Sequence, residues 1–146
     1  MNINITKEKA KFIVNKEKNK VVCIIKNTDR LFIEYATNNL EIRTDCDGSA
    51  WERSKLQEKL WMPNKFIGIA TCSADDEFDV EKGKLIAFSR AKDKLHASFF
   101  KRANIYINSI DEMLTRSMAS INRYGAKLEA NTERRHKKIE SLIGPE

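Results

Sequence analysis

Glycine and proline are scarce in this sequence, at 5 and 2 of 146 residues, so long stretches contain nothing that forces a turn. Cysteine is also sparse. Cys23, Cys46 and Cys72 are odd in number and form no Cys-x-x-Cys pair, which argues against a disulfide framework and against a zinc site. They read as reduced side chains used as small apolar residues. His96 and His136 are the only histidines, and no cysteine lies near His96 at ligand spacing. No local Ser-His-Asp or Cys-His arrangement, no P-loop and no Gly-x-Gly-x-x-Gly occurs. The expected class is therefore a binding protein without catalysis, cofactor or metal. No apolar run approaches the roughly 18 residues of a membrane span. The first residues, Met1 to Lys9, lack the apolar core of a signal peptide. Cytoplasmic location and no membrane association are the expectations.

What the chain does have is hydrophobic residues, at 41%, enough for a core in one domain. It also has an uneven charge. The net charge is +6, and residues 80–146 carry all of it: 14 Lys and Arg against 8 Asp and Glu, while residues 1–79 balance at 13 each. A basic half of this kind suits an anionic partner, although a solvated helix face that aids solubility has the same composition.

The periodicity changes at the same place. Before residue 80 the runs are short and β-prone: Lys11–Asn15, Val21–Lys26, Leu31–Ala36, Leu40–Thr44 and Lys65–Cys72. Ile3 and Ile5 alternate near the start. Lys16–Asn19 reads as a hairpin loop. The connections are too short for crossover helices, so the sheet should be antiparallel, with four to five strands. Residues 49–62 read as a short helix, because Ser49 and Glu52 form a capping box and Leu56 and Leu60 share a face. Trp51 and Trp61 are expected to anchor it to the sheet.

From Val80 the apolar spacing becomes three and four, with Asp79 as N-cap and Glu81 in the first turn. Phe88, Ala91, Leu95, Phe99, Ala103, Tyr106 and Ile110 make one stripe. A second capping box, Ser109-Ile-Asp-Glu112, predicts a break, giving helices over about 80–107 and 109–142. Leu114, Met118, Ile121 and Leu128 form the second stripe. The expected fold class is α+β: an N-terminal antiparallel β-rich module over 1–79 and a basic helical segment over 80–146, together one domain.

The acidic loop Asp75, Asp76, Glu77, Asp79, Glu81 admits a cation reading, but Val80 stands where a calcium loop starting at Asp75 needs glycine. Helix capping accounts for Asp79 and Glu81 without a metal. The candidate ligand residues are cationic and aromatic: Phe88, Arg90, Lys94, Lys101, Arg102, Arg123, Arg134 and Arg135, beside Lys84, Lys92 and Arg116. Guanidinium forks suit phosphate and aromatic rings suit bases. A core stripe with a solvated basic flank gives the same pattern.

The stretch Gly68 to Ala91 contains Gly68-x-Ala70-x-Cys72, then Asp76-x-Phe78-Asp79, then Gly83-x-x-Ile86-Ala87-x-x-Arg90-Ala91. It resembles a segment of small proteins from phages of low-GC Gram-positive bacteria. The order of sheet then long helices is similar to the Thoeris anti-defence sponge proteins, and a Ser-Ala-Asp to Gly-Lys-Leu-Ile run resembles a type II anti-CRISPR protein. The first resemblance implies a homo-oligomer that sequesters a cyclic ADP-ribose-type immune signal between subunits. The second implies inhibition of a host RNA-guided nuclease by protein or RNA contact.

Overall fold

A computed structural model of the chain describes residues 7–40 and 56–144. After a 3-10 turn at Lys7–Lys9 come strand β1 (Lys11–Asn15), strand β2 (Lys20–Lys26) and helix α1 (Leu31–Asn39). Residues 56–60 are the described part of helix α2, strand β3 is Lys65–Thr71, and helix α3 is Val80–Ile143. The fold is α+β, with an N-terminal antiparallel sheet and a long C-terminal helix. The chain divides into two units, Met1–Ile107 and Asn108–Glu146.

Among the described residues the sheet has three strands in the order β1-β2-β3, fewer than expected. The hairpin turn at Lys16–Asn19 closes on Asn19 at φ 48°, a left-handed conformation that asparagine tolerates. Phe12 pairs with Cys23 and Cys23 with Gly68, while Val21 pairs with Ala70 and Ile25 with Phe66. These residues face α3; Val21, Cys23, Ile25, Phe66 and Ala70 are all buried. The opposite face carries Ile13, Val22 and Ile69 in register.

Gly83, Ala87, Ala91 and Leu95 recur every four residues along α3 and are buried against this sheet. Small side chains let the helix backbone approach closely. A Cβ built on Gly68 would strike the Ala87 carbonyl and come 2.5 Å from the Ala91 nitrogen. The line along α3 therefore starts with glycine and alanine where the sheet is nearest. Ala91, Leu95 and Tyr106 of the stripe expected from sequence are buried and Phe88 and Phe99 are half-buried beside them, while the buried line begins earlier, at Gly83 and Ala87.

Leu31–Ala36 is helical, correcting the expected strand. Phe32 is buried, and its ring lies 5.1 Å from Phe99 and 6.1 Å from Tyr106. Tyr35, one turn on, lies 5.3 Å from Phe99. That aromatic cluster overrides the β-propensity of Leu31-Phe-Ile. Thr28 anchors the start of this helix: its buried hydroxyl donates to the Pro63 carbonyl at 2.5 Å and its N–H to that of Asn64 at 3.3 Å.

α2 ends at Leu60, two residues before the expected boundary. Met62 is buried, whereas Trp61 is exposed, with the Arg30 guanidinium 5.9 Å from its ring, so Met62 supplies the anchor expected of Trp61. The capping box at Ser49, the position of Trp51, the strand over 41–44 and the one at Ile3 and Ile5 lie outside the described residues. The break expected at Asn108–Ser109 is absent, and one helix replaces the two expected. Ser109, Asp111 and Glu112 match a capping box, but no glycine or proline there stops the preceding turn.

Candidate anion-binding site

The residues proposed from sequence divide between the two units, Phe88, Arg90, Lys94, Lys101 and Arg102 in Met1–Ile107 and Arg123, Arg134 and Arg135 in Asn108–Glu146. Three are engaged with main-chain carbonyls inside Met1–Ile107. Arg90 donates through Nη1 to the Ile69 carbonyl at 2.6 Å, and Lys94 donates through Nζ to that of Ile67 at 2.8 Å. Both acceptors lie on β3, which among the described residues pairs with β2 on one side only. Their outward carbonyls would otherwise remain without sheet partners, and cationic side chains are a common cover for such an edge. Arg102 donates through Nε to Trp61 O at 3.1 Å and through Nη1 to Ser98 Oγ at 2.9 Å, holding the end of α2 to α3.

Two further cations of this half are also placed by their neighbours. Lys92 Nζ sits 5.5 Å from the Phe88 ring centroid, and Lys84 Nζ lies 5.8 Å from the Phe12 ring and 3.5 Å from Glu81 Oε1. Lys101 is exposed and makes no hydrogen bond among the described residues.

The acidic loop builds the start of α3. Asp79 Oδ1 accepts from the Glu81 and Lys82 N–H groups at 3.1 and 3.2 Å, as expected of an N-cap. Ser73 donates to Asp76 Oδ2 at 3.0 Å, and the Cys72 thiol points at the Asp76 and Glu77 carbonyls. A cleft of about 350 Å³ lies here, lined by residues including Thr71, Ser73, Asp76, Asp79 and Lys82. Its carboxylates outnumber Lys82, which disfavours an anionic occupant. Burial raises the Cys23 thiol and the Tyr106 hydroxyl above their ordinary pKa values. Both belong to the core rather than to a cleft.

Within Asn108–Glu146 the arrangement differs. Arg116, Arg123, Lys127, Arg134 and Lys138 recur at spacings of seven and four, so they line one side of the helix as an exposed ridge. Lys127 and Arg134 border a shallow hollow of about 460 Å³ with Ala126, Ala130 and Asn131, where the alanines leave room between the cations. Arg135 lies beside the ridge, with Nη2 3.5 Å from Thr132 Oγ1. Among the described residues no carboxylate comes within ion-pair distance of any of these cations. Arg123, Arg134 and Arg135 thus lie together on one segment. Lys127 and Lys138 were not singled out from sequence. The seven-and-four spacing within the expected helix over 109–142 was the signal for them.

The motif that carries the resemblance has a structural account. Gly68, Ala70, Gly83, Ala87 and Ala91 are helix–sheet contacts, Asp79 is the cap and Arg90 covers the strand edge. No protein-family model matches this chain, and no curated protein or solved structure matches it either. Among the described residues no helix is long and apolar enough to cross a membrane.

Proposed function

We propose that this chain is a non-catalytic binding protein that sequesters an anionic nucleotide between subunits, as a phage-encoded anti-defence protein acting in the host cytoplasm. Cyclic ADP-ribose isomers are the first candidates, in keeping with the resemblance of its Gly68–Ala91 segment. One observation carries the reading: a ridge of exposed cations at residues 116–138, unpaired among the described residues, with a hollow between Lys127 and Arg134. Guanidinium and ammonium groups would grip the diphosphate. Tyr124, exposed on the same segment, offers a ring for the adenine.

The purified protein, heat-denatured, should release an ultraviolet-absorbing nucleotide, and calorimetry should show binding of cyclic ADP-ribose isomers. If no nucleotide is released and none binds, this reading fails. A second reading is favoured by the length of the ridge, about 33 Å over residues 116–138 at 1.5 Å per residue. An extended polyanion matches that length better than a single nucleotide. It supports inhibition of an RNA-guided nuclease through contact with its RNA. Co-purification with a host nuclease, without nucleotide binding, would select it.

A further inference from the structure

The sheet has a second face, opposite the one packed on α3. The register puts Ile13, Val22 and Ile69 in one row and Lys11, Ile24 and Ile67 in the next. Lys20 bounds these rows at one end, beside Asn15 and Thr71, and Lys26 and Lys65 bound them at the other. Among the described residues this face is open: Ile13 is 47% and Ile69 39% exposed, and Val22, Ile24 and Ile67 are half-buried. Sheet propensity alone does not call for five aliphatic side chains here, since threonine serves an exposed strand face as well.

Every charge on this face is positive, and none of the three strands contains Asp or Glu. Arg90 and Lys94 add cations along the outer edge of β3, through their bonds to Ile69 and Ile67. Lys11, Lys20, Lys26, Lys65, Arg90 and Lys94 form no ion pair among the described residues. Lys26 stands directly opposite Lys65 on the β2–β3 ladder, and like charges so placed cost stability. An apolar centre rimmed by unpaired cations is complementary to an apolar surface edged with carboxylates.

Dimensions and residue types select the occupant. From Lys20 to Lys26 the face runs about 20 Å, and across its three strands about 10 Å. That is the footprint of one helix of three to four turns. A second copy of the same face would set lysine against lysine. Single-stranded nucleic acid would find no aromatic ring here to stack on. A bilayer is engaged by protruding Trp, Phe or Leu, whereas Val and Ile stay close to the strand. We propose that this face binds an amphipathic helix of another protein. The apolar stripe of that helix lies on Val22, Ile24, Ile67 and Ile69, and Asp or Glu beside the stripe meets Lys20, Lys26 and Lys65. The surface belongs to the Met1–Ile107 unit, and the proposal does not rest on the nucleotide reading.

The test uses the full chain and a displayed library of helical peptides of about 14 residues. Leucine is fixed along one side of each peptide, and every flanking position carries Glu, Gln or Lys. Peptides selected on the protein should be enriched in Glu at the flanks. Replacing that Glu by Gln in a synthetic copy should weaken binding at least tenfold. Lys26→Gln with Lys65→Gln should weaken the acidic peptide by a similar factor and leave the Gln peptide within twofold. Ile13→Ser with Ile69→Ser should weaken both peptides, and if that pair fails to fold, the exposed lysine pair decides. Lys127→Ala with Arg134→Ala should change neither, which separates this surface from the nucleotide site. Failure to select a peptide, selection without flank preference, or acidic peptides indifferent to Lys26→Gln with Lys65→Gln overturns the proposal. Phosphatidylserine vesicles or a 12-nucleotide RNA, bound through Lys26 and Lys65 where no peptide binds, would overturn it in favour of lipid or RNA.

Discussion

Arg90 reaches 21 residues back along the chain to donate to the Ile69 carbonyl at 2.6 Å, and so covers part of the outer edge of β3. Lys94, one turn on, does the same for Ile67. The pair shows why a basic helix flank can read as a ligand grip in sequence and serve as an edge cover in the fold. Arg90→Ala should lower stability by about 1 kcal/mol, the lower end for a charged donor because the site is exposed. Lys101→Ala should change it by less than about 0.5 kcal/mol. Urea unfolding of the two variants checks the contrast, and equal effects would count against the edge role.

Gly68 and Gly83 occupy the same helix–sheet contact with different tolerances. At Gly68 an added methyl meets backbone atoms of Ala87 and Ala91, which can move only if the whole helix moves. At Gly83 it meets the Val21 side chain at 2.8 Å, which can shift. Gly68→Ala should cost about 3 kcal/mol or more, as severe overpacking does. Gly83→Ala should cost about 1 kcal/mol or less, because alanine's gain in helix propensity offsets part of the clash. Thermal denaturation of both proteins would reveal a reversed order if the contact is misassigned.

The start of α3 depends on a single side chain. Asp79→Ala removes the acceptor of two backbone N–H groups and should destabilise by about 1 kcal/mol. Asp79→Asn keeps a side-chain oxygen and should cost much less. Similar losses in both, by chemical denaturation, would show that the negative charge and not the cap matters.

The parts legible in the sequence were those set by local chemistry. Lys11–Asn15 and Lys65–Thr71 show β-rich composition with turn residues around them, and Asp79 announces α3 because capping needs only the next three residues. α1 was not legible. Arg30 at its N-cap makes no side-chain capping bond, and Leu31-Phe-Ile is β-prone. Its helical state depends on Phe32 and Tyr35 meeting Phe99, more than 60 residues away. The cation roles were hidden for a similar reason. Spacing along α3 shows which side chains share a flank, but not that β3 lies beneath Arg90 and Lys94.

Cys23 has no exposed surface, and burial holds its thiol above the ordinary pKa. A raised acid pKa means the folded state keeps its proton where the unfolded chain has lost it. The stabilising contribution is complete below the unfolded value and is lost as pH rises towards the folded one. Stability should therefore fall above about pH 8.5, the ordinary thiol range. A Cys23→Ala variant, though less stable throughout, should lack that component. Thiol labelling gives an independent check: Cys23 should react only on unfolding, while half-buried Cys72 reacts in the native protein. Prompt labelling of Cys23 in the folded chain would contradict its placement between sheet and helix.

Lys127 and Arg134 offer the cleanest separation of binding from folding. Both border the hollow over Ala126 and Ala130, and neither makes an ion pair among the described residues. Lys127→Ala combined with Arg134→Ala should leave the unfolding midpoint of the Met1–Ile107 unit unchanged, since that unit contains neither residue. If these cations hold phosphate, the double variant should lose nucleotide affinity by tenfold or more. Wild-type binding should also weaken as salt is raised, because exposed charge pairs are screened. Lys127→Arg should preserve binding, since the substitution keeps the charge and adds a fork for phosphate oxygens. Retained affinity in the double variant, measured by calorimetry, would move the ligand off this ridge.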